Sequence, residues 1–296
     1  MKKTHVTKSE VSPPEQTGRI ELNDDGIGFV ESWDFSKANM SEASRKFAVT
    51  TIASVCYGNP KSVGSISLYD RLACESVGLP SSSFEFVPVL IRTPHFKDIQ
   101  DLVDHMYNFR ISIKYGEYLH RGEYLLTNLR ALMADVGKDA DKFFNTEEEC
   151  AIIAKYHKVF KAKMDIATSK QFNRHRVSLQ ELSRRYVSGK KSELEFYISP
   201  KMRNLESHTG CSTSDCPGDN INTIEIIELC VEHYNQAISN GIKPEEARRI
   251  LPMSLYTTTW SAWQPSQLKS YMELRTDSHT QIEHRNLATA MEELTK

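Results

Sequence analysis

Apolar and polar positions alternate along the chain with two distinct periods. The stretch Ile20–Phe35 reads as one or two short strands with a turn at Asp24–Gly28. A helix is expected next, over "MSEASRKFAVTTIASVCYG", with Ser41 as its N-cap and Glu42 in its first turn. "FEFVPVLI" is β-rich, and Pro88 inside it marks an edge or a strand end. From Pro94 to about Lys158 the pattern is mainly helical: Ile99, Leu102, Val103 and Met106 share one face, and "RGEYLLTNLRALMADVG" repeats that stripe. "VFKAKMDI" and "EFYIS" read as further strands. "NTIEIIELCVEHYNQAISNG" reads as a helix with Ile224, Ile227, Val231, Tyr234 and Ile238 inward and a stop at Gly241. Pro244 suits the first position of another helix. The C-terminal stretch from Gln267 to Leu294 reads as one long helix. Few strands among many helices give an α+β class.

Composition narrows the function classes. The 296 residues can bury a sizeable core, and 37 Lys and Arg against 39 Asp and Glu give a net charge of −2. A polyanion site must therefore be local, and the expectation is neither a nucleic-acid nor a membrane partner. Residues 1–18 have lysines but no apolar core, so they read as a disordered lead rather than a secretory signal, with a cytoplasmic location expected. The six cysteines do not form a disulfide framework. His208, Cys211 and Cys216 could ligate zinc, but their spacing is wider than that of finger knuckles; a polar loop is preferred and no metal is expected.

The most chemically loaded run is "QFNRHRVSLQELSRRYVSG". As a helix it would align Arg174, Ser178, Glu181 and Arg185 on one face, beside Leu179, Leu182 and Tyr186. Such a face is either a solvated surface with pairs like Glu181 and Arg185, or a phosphate site built from guanidinium forks. A nucleic-acid grip is a third reading, weakened by the sparse aromatics and the acidic balance.

These residues resemble the signature of the flavin-dependent thymidylate synthases, which runs R-H-R, seven residues, S, and then R-Y. "EFYIS", "EEARRILPMSLYT" and "MELRTDSHTQIEHRNLA" resemble later family segments, and "ASVCYG" and "SSSFEF" resemble its early helix and flavin-contacting turn. The matches keep their order over most of Gly28–Met291. The resemblance implies a small antiparallel sheet with long helices in a single domain over 19–296, interrupted by a mainly helical insertion at about 95–157. It implies reductive methylation of dUMP to dTMP, with methylenetetrahydrofolate and NADPH as co-substrates and FAD as cofactor, in a homotetramer with shared active sites. The alternatives are a related flavoenzyme acting on another pyrimidine nucleotide, or a nucleotide-binding homologue without catalysis.

By the same resemblance, Arg275 is the catalytic arginine. Gln171, Arg174, Glu181, Ser183, Arg185, Arg248 and Arg275 would hold dUMP, with Arg249 the alternative to Arg248. Ser82, Glu85, Arg174, His175, Arg176, Glu181, Gln264, Ser266 and Ser270 would contact FAD. The chain departs from the pattern in four places. Six residues, not seven, separate Arg176 from Ser183; Leu79 or Pro80 replaces a histidine; Gln264-Pro265-Ser266 stands for N-x-R; and Ser270 stands for an asparagine.

Overall fold

A computed structural model describes residues 3–22, 27–73, 80–92, 124–187, 189, 193–203, 205–208 and 220–296. Its centre is a five-stranded antiparallel sheet in the order β1-β2-β5-β9-β6, formed by β1 (Glu15–Glu21), β2 (Ile27–Asp34), β5 (Lys158–Asp165), β9 (Tyr256–Trp263) and β6 (Ser178–Glu181). Two-stranded pairs flank it: β3 (Pro88–Arg92) with β4 (Tyr124–Asn128), and β7 (Glu206–His208) with β8 (Asn220–Asn222). The class is α+β.

Period-two alternation sends β-strand side chains to two separate cores. On one face Val159, Trp260 and Ala262 pack with Phe35, Phe84 and Phe86 beneath α1 (Glu42–Tyr57). α2 (Ile66–Ala73) and α3 (Leu129–Val136) add Ala73, Leu129 and Leu132 to this core, while Ile153 of α4 (Glu147–Tyr156) packs with Leu90 and Leu126 in a smaller one. On the other face Phe160, Ala162 and Met164 pack with Phe172, Leu268, Tyr271, Leu287 and Met291. These come from α5 (Ile166–Phe172), α7 (Pro265–Arg275) and α8 (Ile282–Glu293); α6 (Thr223–Ser239) follows β8.

Several expected elements form where the side chains dictate them. Ser41 caps α1, its hydroxyl accepting from the Ser44 amide at 3.1 Å. Pro88 opens β3, where no ladder donor is needed. Pro244 opens the turn Pro244–Ala247, and Gly241 adopts φ +85 just past α6.

Other expectations are corrected. Residues 3–18 are not a disordered lead: Val6 is buried, and its amide donates to the Gly64 carbonyl at 2.8 Å. Gly64 has φ +77, and a Cβ there would sit 2.1 Å from the Val6 carbonyl oxygen, so only glycine admits this contact. The described part of the stripe expected through 121–137 is a strand, β4, from Tyr124, followed by α3, because Asn128 caps the helix at the Ala131 amide at 2.9 Å. "EFYIS" forms one isolated bridge, Phe196 to Leu255, rather than a strand. The long C-terminal helix is two helices. Thr276 and Thr280 turn their hydroxyls onto the Met272 and Leu274 carbonyls, and Asp277 takes the His279 amide at 2.8 Å. Ile224 is 43% exposed rather than inward. The stripe expected at 95–109 and the pair Cys211 and Cys216 lie outside the described residues. Among the described residues no helix is long and apolar enough to cross a membrane, and no group of three His, Cys, Asp or Glu could hold a metal.

Candidate functional site

The arginine-rich run is not a helix. Asp165 caps α5 by accepting from the Thr168 amide at 2.8 Å, and the helix tightens into a single turn at Asn173–His175. Arg176 then adopts the left-handed region at φ +54, which reverses the chain into β6. β6 pairs with β9 from Ser178–Ala262 to Glu181–Thr259. Neighbours along a strand point to opposite faces. Gln180 accordingly turns toward α1, accepting from Ser82 Oγ at 2.8 Å and donating to Cys56 Sγ. Glu181 turns toward α5 instead. The common face expected for Arg174, Ser178, Glu181 and Arg185 does not exist.

On the α5 side lies a cleft of about 450 Å³ that gathers Lys170, Glu181, Ser183, Arg184, Arg248 and Arg249, with Leu182, Leu251, Leu255 and Tyr256 in its walls. These residues come from α5, the end of β6 and the segment after it, the turn after Pro244, and the start of β9. The Glu181 carboxylate accepts from Ser169 Oγ at 3.0 Å and Asn173 Nδ2 at 3.4 Å, with Lys170 Nζ at 3.9 Å. One carboxylate is thus tied down in a lining that carries four cationic side chains, and Arg248 and Arg249 are exposed toward solvent. An anion with hydroxyl groups is the chemistry such a lining suits. Lys170 was not legible as a site residue, although it stands one turn before Arg174.

Arg185 is not in this cleft. Its guanidinium lies 5.4 Å from the Tyr186 ring and 3.9 Å from the Glu245 carboxylate. Arg174 is exposed, with no ionic or hydrogen-bond partner among the described residues. Of the four arginines expected around one nucleotide, Arg248 alone lines the cleft of a single chain.

Gln171 and Arg275 belong to an adjoining buried cluster. Arg275 Nε donates to His175 Nε2 at 3.0 Å, which requires that the neutral imidazole carry its proton on Nδ1. Burial, and then the Arg275 charge, lower the His175 pKa to about 4. The ring sits edge-on to Tyr271 at 4.8 Å and to His284 at 5.8 Å. Burial lowers His284 to about 3, helped by Arg275 and His175. Its Nδ1 meets Gln171 Oε1 at 3.4 Å, and the Gln171 amide donates on to Gln281. His284 is a member of this cluster that motif reading missed.

A second, smaller recess of about 170 Å³ brings together Glu85, Arg176 and Gln264 from the expected flavin set, with Thr127, Asn128, His157, Ser178 and Trp263. Glu85 is paired with Arg130. Thr127 Oγ1, His157 Nδ1 and Gln264 Oε1 are buried without a hydrogen-bond partner. Burial lowers the His157 pKa to about 4, keeping the imidazole neutral. Orphaned polar atoms around a cavity fit the polar edge of a cofactor ring. Ser82, Ser266 and Ser270 do not line this recess; Ser82 is spent on Gln180, and Ser270 is exposed on α7.

This mixed sheet-and-helix architecture ends in a C-terminal half that has relatives. Residues 151–296 match the family described as thymidylate synthase complementing protein. A flavin-dependent thymidylate synthase from Kosmotoga olearia is 30% identical over 152 residues, covering 49% of this chain and 63% of that protein. Another, from Thermotoga neapolitana, is 33% identical over 134 residues, covering 45% and 58%. The chain therefore spans less than two thirds of the length of these curated relatives. A UMP/dUMP methylase from Streptomyces cacaoi, solved with 5-Br dUMP, is similar at 23% identity and a TM-score of 0.36, covering 56% of this chain and 82% of that one. That likeness is too loose to support an argument.

Proposed function

We propose that the protein is a flavin-dependent thymidylate synthase, converting dUMP to dTMP with methylenetetrahydrofolate as carbon donor and NADPH as reductant. The observation that supports this reading best is the convergence of Lys170, Glu181, Ser183, Arg248 and Arg249 on one cleft, from segments up to about 80 residues apart, within the half that matches the family.

Lys170, Arg248 and Arg249 would neutralise the nucleotide phosphate, the guanidinium forks meeting its oxygens in two-point fashion. Ser183 would donate to the nucleotide, and Glu181, fixed by Ser169 and Asn173, would orient a cation or a sugar hydroxyl. Arg275 has its Nε committed to His175, so both terminal nitrogens are left for substrate. A guanidinium held this way would stabilise the negative charge that develops across N3 and C4 of the pyrimidine. Gln171, held by His284 and Gln281, would complete the nucleotide set.

FAD, when bound, supplies the redox chemistry, so no cysteine nucleophile is required. Glu85, Arg176 and Gln264 would hold it at the smaller recess, with Arg176 offering charge to its phosphates. Arg174 and Arg185, exposed on a single chain, would act on a neighbouring subunit's ligands in a homotetramer. The exposed Ile224, Ile226 and Leu229 of α6 offer apolar surface for such an assembly.

Colour tests the reading. Purified protein reconstituted with FAD should be yellow and should bleach anaerobically with NADPH, and dUMP should bind. A protein that binds dUMP but takes up no flavin would refute the enzyme reading in favour of a nucleotide-binding homologue.

A further inference from the structure

The end of one strand and two chain junctions meet at the smaller recess. Thr127 is the last residue but one of β4, His157 links α4 to β5, and Gln264 links β9 to α7. Their side chains are 3%, 9% and 7% exposed, and each has an orphaned polar atom. Buried polar groups in folded proteins are nearly always paired, so three orphans lining one cavity point to a ligand that pairs them. At about 170 Å³ the space admits part of a ligand rather than a whole one. Trp263 and Val177 contribute apolar wall, which suits a flat ring.

The hydrogen-bonding capacities narrow the ring. Gln264 Oε1 can only accept, so the ligand must bring an N–H or O–H. The Thr127 hydroxyl can donate, and so can His157 from its Nδ1 in the matching tautomer. One acceptor and two donors complement one donor flanked by two acceptors. An imide edge, C=O, N–H, C=O, presents that pattern and is found on the isoalloxazine of a flavin and on uracil.

We propose that Thr127, His157 and Gln264 form an imide-recognition triad, with Thr127 and His157 setting which ring the recess accepts. The assignment of the flavin as occupant rests on the flavoenzyme reading; the imide chemistry does not. Thr127 lies outside the matched residues 151–296, so this wall is built partly by a segment the family match does not cover.

The test titrates the full chain and its T127V and H157F variants with riboflavin, 3-methylriboflavin and dUMP, by calorimetry and flavin fluorescence. Each variant removes an orphaned polar atom at similar volume, so ligand-free melting temperatures should equal or exceed that of the parent chain. Riboflavin binding should weaken at least tenfold in both variants while dUMP binding holds. The parent should discriminate against 3-methylriboflavin, which lacks the ring N–H, as it does against no other flavin position. Weakened dUMP binding with unchanged riboflavin binding would keep the triad and replace its occupant with uracil, overturning the flavin assignment alone. Parent-like affinity of both variants for both ligands would overturn the triad while leaving the flavoenzyme reading standing, and a parent that binds neither ring would overturn both. Should H157F fail to fold, T127V decides the matter by itself.

Discussion

Acid should weaken this fold through histidines that are buried in their neutral form, and His284 gives the cleanest measurement. It is fully buried among Phe172, His175 and Tyr271, and burial followed by the charges of Arg275 and His175 lowers its pKa to about 3. Unfolded, the same imidazole titrates at the ordinary value of 6.5. The native state therefore binds fewer protons than the unfolded state between these values. Its contribution is fully present above pH 6.5 and is lost as pH falls toward 3. At pH 5 the unfolded histidine gains about 2 kcal/mol from protonation that the folded one does not. His157, lowered to about 4, adds a loss of about the same size. The assay is urea unfolding at pH 7 and pH 5, comparing the parent chain with H284F, so that titrating carboxylates cancel. The parent should lose about 2 kcal/mol more than the variant over this interval. Equal losses, or a His284 ring that titrates near 6.5 by NMR in the folded protein, would refute the reasoning.

Three further outcomes are expected. R275A should lower kcat about 100- to 1,000-fold, as expected for removing a donor aimed at developing charge, with a melting temperature near that of the parent; undiminished turnover would remove its assigned role. R248A should weaken dUMP binding by about 1.5–3 kcal/mol, read by calorimetry, as for loss of a hydrogen bond to a charged group, and unchanged affinity would exclude Arg248 from the phosphate set. R45M should destabilise the fold by about 3 kcal/mol in urea denaturation. Arg45 is 1% exposed, and its removal strands buried Asn39 Oδ1, which it meets at 2.5 Å, and the Ala140 carbonyl at 2.9 Å.

What the sequence made legible was local. Ser41, Pro88, Pro244 and Gly241 act through their own backbone and nearest neighbours, and each stands where its chemistry placed it. The R-H-R run failed as a helix because its fate depends on β9, about 80 residues later, and on one left-handed residue, Arg176, that periodicity does not reveal. The break between α7 and α8 had a signal in Thr276, Asp277 and Ser278, residues that compete with helical hydrogen bonds. Ordered motifs pointed to Glu181, Ser183 and Arg248, which share a cleft, and to Glu85, Arg176 and Gln264, which share a recess. Lys170, His284, Thr127 and His157 were out of reach, since each matters through side chains brought beside it by the fold rather than through its spacing.

Tritium release from [5-³H]dUMP measures the central chemistry directly, because methylation at C5 must expel that hydrogen. With FAD, NADPH and methylenetetrahydrofolate present, tritium should enter water in step with dTMP formation. Protein that demonstrably holds both flavin and dUMP, yet releases no tritium and forms no dTMP, would contradict the account.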